Sequence, residues 1–256
     1  MNNEAYWSER NKMLLDRTKV TNKALAKVYK QANTRIENKL LELWLEMEKR
    51  GGVTPANLVQ IQRYLEIQNE IEGELQGLNQ TVNRRISNDL GLTAKFGSNS
   101  LLPYSSGQMV ALSPQVIETI VRQEYKGDIF SNRIWKNTDK INKVIKNAIV
   151  DTTVTGQDVR KVAKKVSEIM EVGYNDSKRI VVTETNRVFN EACRLSAKDL
   201  GFDRYSLILE PSACPKCTAH KGEIYDINQS VLPFHPHCKC SIKIETGIVD
   251  HGDNRN

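Results

Sequence analysis

Residues 23–50 read KALAKVYKQANTRIENKLLELWLEMEKR, and they lie in a stretch from Asn11 to Arg50 that holds neither glycine nor proline. Apolar side chains recur here at every third or fourth position, namely Leu25, Val28, Ala32, Ile36, Leu40, Leu43 and Met47. This spacing puts them on one face of an amphipathic helix. The stretch therefore predicts a long helix that begins near Glu4.

A second apolar stripe follows the Gly51-Gly52 pair, which ends the first helix, and the Thr54-Pro55 pair, which caps the next one. Its members are Leu58, Ile61, Leu65, Ile71, Leu75, Leu78, Val82 and Ile86. Two long stripes joined by a short turn predict an antiparallel helical hairpin. We interpret residues 1–90 as a helical arm that can reach along a partner.

The pattern changes after residue 90. Residues 91–113 are rich in glycine and serine and lack a helical period, which predicts a linker. Helices are then expected over residues 114–125 and 130–150, and again after a capping box at Thr155–Asp158. We expect Gly173 to end that helix, and Asn175 or Asp176 to cap a last helix that reaches Leu200.

Beyond Gly201 the apolar period favours strands at Tyr205–Leu209 and Cys240–Glu245. The polar tail, residues 247–256, is expected to be flexible. The sequence as a whole predicts a mainly α fold. It combines the N-terminal hairpin with a C-terminal α+β domain that contains a small β element.

Composition restricts the function. The chain of 256 residues is 39% hydrophobic and carries a formal net charge of +6. No apolar run approaches the roughly 20 residues that span a bilayer, and the N-terminus lacks the pattern of a signal peptide. We therefore expect a reducing compartment, no membrane contact, and cysteines that bind metal instead of forming disulfides.

Four of the five cysteines lie between residues 214 and 240, in two segments of similar form. The segments are Cys214-Pro-Lys-Cys217 and His235-Pro-His-Cys238. A gap of two residues lets both side chains of a segment face one ion, and three thiolates with one imidazole suit tetrahedral zinc. Because four ligands leave no open position, we predict a closed, structural zinc site that staples the β element.

Some ligand assignments stay open at this level. Cys240 is an alternative to Cys238 as the fourth ligand, since both would lie on one face of a strand, and His220 and His237 are further candidates. Cys193 is expected to be a core residue. The alternative hypothesis is that the clustered cysteines are only buried or surface thiols and bind no metal.

Two other functions fit the residues less well. A metal-dependent nuclease would need a general-base histidine, for which His220 or His237 would serve, but no Asp-His or His-His pair precedes a helix. A DNA-binding zinc module would use the mild basic bias, although basic and acidic residues alternate along most of the chain. Catalysis is therefore not expected.

The segment Thr183–Arg187 is polar where a helix would normally show an apolar stripe. Glu184 and Arg187 either form a buried polar contact or lie on a solvated face as a pair three residues apart. Spacing alone favours the solvated face.

The C-terminal part, over roughly residues 115–245, resembles the phage head morphogenesis family, the minor head proteins similar to the F protein of phage Mu. The resemblance rests on an ordered set of features: Thr155-Gly156, Thr183-Glu184, Asn190, Ala192, Gly201, Cys214-x-x-Cys217, Gly222 and the Leu232–Cys240 run. The Leu232–Cys240 run is the most specific of these. Lys239 stands where the family often has arginine, which is a mild departure.

The resemblance implies a minor component of a tailed-phage capsid, made in the bacterial cytoplasm and located in the virion, inside the capsid near the portal vertex. The implied partners are the portal protein and capsid or scaffold proteins, with DNA as a further partner. Residues 114–246 would then form the head-morphogenesis domain. The resemblance also suggests that the Thr183–Arg187 segment ties its helix to the zinc segment.

Overall fold

The computed structural model describes residues 2–49, 62–108, 110–155 and 159–246. Its helices are α1 (Asn3–Lys49), α2 (Gln62–Asn99), α3 (Pro114–Arg122), α4 (Phe130–Thr155), α5 (Val159–Asp199) and α6 (Pro215–Thr218), with a 3-10 helix at Leu102–Tyr104. Its strands are β1 (Arg204–Ile208), β2 (Tyr225–Asp226) and β3 (Ser241–Ile244). The predicted mainly α fold with a small β element is confirmed.

Several predicted features lie outside the described residues: the Gly51-Gly52 turn, the Thr54-Pro55 cap, the Gly156–Asp158 part of the capping box, and the tail 247–256. Within the part of the chain that the structure describes, no helix is both long enough and apolar enough to cross a membrane.

The chain divides into two compact units, each built from separate stretches of sequence. We call residues 18–89 and 122–181 the bundle unit, and residues 1–17, 90–121 and 182–256 the sheet unit. Helices α1, α2 and α5 contribute residues to both units. The predicted domain boundaries at residues 90 and 114 stay a prediction.

In the bundle unit, α1 and α2 run antiparallel. Thr21 bonds Asp89, Arg35 pairs with Glu74 and Lys39 pairs with Glu70, so residue numbers rise on one helix as they fall on the other. The same unit contains contacts of α4 with α2 and of α5 with α1, namely Asn79–Thr138, Glu72–Lys146, Tyr29–Ser177 and Asn33–Ser167. The helices of the predicted arm therefore pack against α4 and α5.

The prediction that Gly173 ends a helix is wrong, because α5 continues through it without a break. A Cβ atom at this position would lie 2.4 Å from Cδ1 of Ile141 and 3.3 Å from Cε1 of Tyr29. The glycine thus permits close packing of α5 against α4 and α1, and neither Asn175 nor Asp176 caps a helix.

The predicted linker is also wrong over residues 91–99, which form the last turns of α2. Gly97 is helical and faces α5 in the sheet unit, where an added Cβ would lie 2.7 Å from the carbonyl oxygen of Phe189. The glycines that suggested a loop therefore include one that a close helix–helix contact requires.

The sheet unit contains an antiparallel sheet in the order β2-β1-β3. Tyr205 pairs with Ile244 and Ile208 with Ser241, so β1 and β3 lie within one residue of the predicted strands. The two-residue strand β2 was not predicted, since such a short segment has no detectable period. The core of this unit includes Trp7, Phe189, Tyr205, Ile242, Ile244 and three of the clustered cysteines, Cys217, Cys238 and Cys240.

Candidate metal centre

The first cysteine segment forms the single-turn helix α6. Cys214 is its N-cap residue and Pro215 occupies the first helical position, where the missing amide hydrogen costs nothing. The backbone amides of Cys217 and Thr218 both donate to the carbonyl of Cys214, at 2.9 Å. This tight turn places the two thiols of the segment side by side.

The second segment forms a turn just before β3. The amide of Cys238 donates to the carbonyl of His235 at 3.1 Å, and His237 has a positive φ of 66°. A left-handed residue is needed there to reverse the chain, which returns Cys238 toward α6. The two segments therefore meet although about twenty residues separate them.

The thiols and the imidazole lie close together. The Sγ atoms of Cys214 and Cys217 are 3.9 Å apart, and those of Cys217 and Cys238 are 3.8 Å apart. A tetrahedral ion with metal–sulfur bonds of about 2.3 Å would hold its sulfurs about 3.8 Å apart. Nε2 of His235 is 3.1 Å from the Sγ atoms of both Cys214 and Cys217. This separation is shorter than the roughly 3.5 Å expected when nitrogen and sulfur share one zinc ion.

The tautomer of His235 suits metal binding. Its Nδ1 lies 2.7 Å from the carbonyl oxygen of Pro236, which can only accept a hydrogen bond. Nδ1 therefore carries the proton, and the lone pair of Nε2 points toward the sulfurs. Metal-binding histidines in proteins are commonly fixed by a hydrogen bond of this kind.

Cys240 belongs to a second, overlapping group. Its Sγ atom and those of Cys217 and Cys238 all lie within 4.8 Å of one another, and all three residues are buried. The hydrogen bond from Cys240 lowers the pKa of Cys238 to about 5, and the same bond raises the pKa of Cys240. Cys238 is thus the better thiolate of the two, and Cys240 is placed to donate its proton to it.

The donor set fits a soft or borderline cation. Burial raises the pKa of Cys217 to about 12, so this thiol would stay protonated at neutral pH without a nearby positive charge. A backbone hydrogen bond from Cys217 lowers the pKa of Cys214. A divalent ion would supply the charge that lets both bind as thiolates. Which four residues bind it stays a prediction.

Helix α5 anchors the second segment through three polar side chains. The hydroxyl of Thr183 accepts from the amide of His237, and the side-chain amide of Asn186 donates to the carbonyl of Cys240 at 2.6 Å. The side-chain oxygen of Asn190 accepts from the amide of Ile242. These positions, three and four residues apart, line one face of the helix. They fix the backbone on both sides of Cys238.

Glu184 and Arg187 do not lie on a solvated face, and that interpretation is wrong. Glu184 is fully buried and Arg187 is 5% exposed, and they form an ion pair of 2.8 Å. The guanidinium also donates to the carbonyls of Ile120 and Val121, which lie in the last turn of α3. The pair thus caps α3, while Thr183 and the two asparagines make the link to the cysteine segment.

The other candidates lie outside the two groups. The ring of His220 stacks on Phe234 at 4.1 Å, and its Nδ1 lies 2.7 Å from a carboxylate oxygen of Glu223. The thiol of Cys193 is buried and donates to the carbonyl of Gly97. The prediction that Cys193 is a core residue is confirmed.

Fold and site together describe a mainly helical protein that carries a small antiparallel sheet and a cluster of thiols with one imidazole. Residues 143–243 match the model of a protein family described as phage Mu protein F like protein. The match contains all of α5 and the whole cysteine–histidine cluster. Over these residues, about two fifths of the chain, the protein is similar to the phage Mu F-like family, and the predicted resemblance is confirmed.

Searches of curated proteins and of solved structures find no match. The family indicates a structural protein of the bacteriophage head, located in the virion and in contact with other head components.

Proposed function

We propose that the protein is a minor structural head protein of a tailed bacteriophage, associated with the portal, that acts in procapsid assembly. In this proposal the cysteine–histidine cluster holds a structural zinc ion. The observation that carries the metal assignment is the meeting of three thiols and the Nε2 atom of one imidazole from two separate turns. The assignment to the head rests on the family match.

Cys214, Cys217, His235 and Cys238 would hold the ion, and Cys240 would stabilise the Cys238 thiolate with a hydrogen bond. Zinc supplies a positive charge and four directed bonds, and it tethers α6 to the turn before β3. Because Thr183, Asn186 and Asn190 already hold the backbone near Cys238 to α5, the ion would link α6 to helix α5 through this turn.

The proposed partners are the portal protein and capsid or scaffold proteins, with DNA as a further partner. The family supports contact with head components in general. The exposed faces of α1 and α2 offer long helical surfaces to such partners, since helices commonly dock on other helices. A position near the portal vertex is part of this proposal.

The decisive experiment isolates procapsids through a tagged portal protein. It then measures, in the same sample, how much of this protein co-purifies and how much metal is bound. We expect the chain to be retained with stoichiometric zinc. Cys238→Ser should lose the zinc. Cys193→Ser replaces an equally buried thiol outside the cluster and should keep it. Stoichiometric zinc in both variants would refute the ligand assignment, and absence of the chain from portal-containing procapsids would refute the portal association.

The proposal includes no catalytic step. A metal-dependent nuclease is the competing function, and His220, held by Glu223 and stacked on Phe234, would be its best-placed base. Incubation of the purified chain with supercoiled plasmid and Mg²⁺ or Mn²⁺ tests it. We expect intact plasmid, and nicking that disappears in His220→Ala would favour the nuclease.

A further inference from the structure

Helix α1 contains a stretch of uniform charge. Between Arg17 and Ile36 the sequence has six basic residues and no acidic one, although basic and acidic residues alternate in much of the chain. Four of the six are Lys19, Lys23, Lys27 and Lys30, at spacings of four, four and three. At about 100° per residue these four fall within a sector of roughly 80°. We call them the lysine face.

The lysine face is directed to solvent within the bundle unit. All four lysines are exposed, whereas Leu25, Tyr29 and Ala32 on the other side of the helix are buried in the core. The helix therefore contributes its apolar side to the bundle and leaves a cationic strip about 16 Å long on its surface.

Two other basic residues of α1 have carboxylate partners, whereas three of the four lysines of the lysine face do not. On the same helix, Arg35 pairs with Glu74 and Lys39 with Glu70. Among residues 2–49, 62–108, 110–155 and 159–246, no carboxylate lies within ion-pair distance of Lys23, Lys27 or Lys30. Like charges three or four residues apart destabilise a helix. An anionic partner would remove that repulsion.

We propose that the lysine face binds the phosphate backbone of duplex DNA. Over a length of about 16 Å, duplex DNA presents roughly nine phosphates, at one charge per 1.7 Å. Lysine is a mobile point charge with three donors, which suits contact with phosphate and gives no base readout.

The residues around the lysine face argue against single-stranded nucleic acid and a membrane surface as the anionic partner. Single strands are usually bound on exposed aromatic rings, and the aromatic residue in this stretch, Tyr29, is 3% exposed. A membrane-surface helix needs an exposed apolar face, but the apolar side of α1 opposite the lysine face, with Leu25, Tyr29 and Ala32, is buried. A protein partner would need acidic groups at matching intervals, a case that the experiment below separates from DNA.

The inference deepens the proposed function, because it names the surface through which a head protein would meet DNA. It places that surface on the bundle unit, whereas the residues of the metal cluster belong to the sheet unit. DNA binding should therefore persist when zinc is removed by a chelator, and the inference and the zinc assignment can fail independently.

The test measures binding of the full chain to a 30-base-pair duplex at several salt concentrations. Each phosphate contact contributes about 0.9 to the slope of log affinity against log salt. With four contacts, affinity should fall about 150-fold between 50 and 200 mM salt. The triple variant Lys23→Gln, Lys27→Gln, Lys30→Gln should bind weakly, with a fall of only about fourfold.

Two further variants serve as controls. Lys136→Gln, Lys140→Gln, Lys143→Gln removes the same charge from α4, where Lys136 and Lys143 are paired with Asp128 and Asp139, and it should keep most of the slope. A triple arginine variant of the lysine face keeps the charge and should bind like the parent. Circular dichroism confirms that each variant is folded.

Three outcomes would overturn the proposal. One is binding of the parent chain that does not depend on salt. Another is an equal loss of slope in the α1 and α4 glutamine variants. The third is displacement of the duplex by poly-glutamate at equal charge concentration, which would assign the face to an acidic protein.

Discussion

Substitutions at two glycines of helix α2 test how closely α2 packs against α5, the helix that holds the second cysteine segment in place. An added Cβ at Gly97 would lie 2.7 Å from the carbonyl oxygen of Phe189 and 3.0 Å from Cβ of Ala192. At Gly91, six residues earlier in the same helix and unit, an added Cβ meets nothing within 4 Å. The same substitution should therefore have opposite effects at the two positions.

The magnitudes follow from two competing effects. Replacing a helical glycine by alanine favours the folded state by about 0.5–1 kcal/mol. Overpacking a closed interface costs about 1–3 kcal/mol, and the nearest atom at Gly97 is backbone, which cannot rotate away. Gly91→Ala should thus raise the free energy of unfolding by about 0.5–1 kcal/mol, and Gly97→Ala should lower it by roughly 1–2 kcal/mol.

Urea unfolding followed by circular dichroism measures both values. In thermal melts of a chain of this size each kcal/mol corresponds to a change in Tm of about 2–4 °C. If Gly97→Ala is as stable as Gly91→Ala or more so, the close approach of α2 and α5 at this point is not real. The positioning of the polar residues of α5 would then need another explanation.

Three further predictions concern polar groups. Arg187→Ala should lower the free energy of unfolding by about 3–5 kcal/mol because it removes the guanidinium that pairs with the buried Glu184 carboxylate. The double variant with Glu184→Leu should recover part of this loss in urea unfolding, and no recovery would refute the pairing. Asn190→Ala leaves the amide of Ile242 unsatisfied and should cost about 1–3 kcal/mol in the same assay. Burial raises the pKa of Tyr29 to about 12. The neutral hydroxyl of Tyr29 therefore stabilises the fold fully below the unfolded pKa of about 10, and this stabilisation is lost as pH rises through 12. The difference in Tm between the parent and Tyr29→Phe should shrink over that range, and a constant difference would contradict this reasoning.

The sequence predicted the elements whose signal is periodic. The stripe from Leu25 to Leu43 is buried in α1 except for the half-buried Val28, and the alternation in residues 240–245 gives β3. The two cysteine segments could be recognised because the two-residue gap in each of them is the spacing that lets two side chains bind one metal ion. Features that depend on distant neighbours were missed, since a single sequence does not show which helix will approach a given residue.

Glycine and buried charge illustrate that limit. In the sequence, Gly173 suggests the end of a helix and Gly97 suggests a loop. The structure shows instead that Gly173 packs against Ile141 and Gly97 against Phe189, both of which lie far away in sequence. Glu184 and Arg187 have the spacing of an exposed pair, but Arg187 donates to the distant carbonyls at the end of α3, a contact that their spacing does not show. A polar run in the middle of a long helix was the available signal, and it was compatible with both interpretations.

The structure also changes what zinc is expected to do. Residues 210–234 contain few large apolar side chains, which taken alone would favour an ion that replaces a missing core. In the sheet unit, however, Ile227 and Leu232 are buried and join a core with Tyr205 and Ile242. Zinc removal should therefore loosen α6 and the turn around His235 without unfolding the helices.

This expectation can be tested with a chelator on the intact chain. The far-ultraviolet circular dichroism at 222 nm should change little, while amide hydrogen exchange should rise at Cys217 and Cys238 and stay slow near Phe189. The interior of the sheet unit would then be stable by apolar burial, and the ion would act locally on the turn that carries its ligands. Loss of most of the helical signal on chelation would show instead that the core around Tyr205 cannot form without metal.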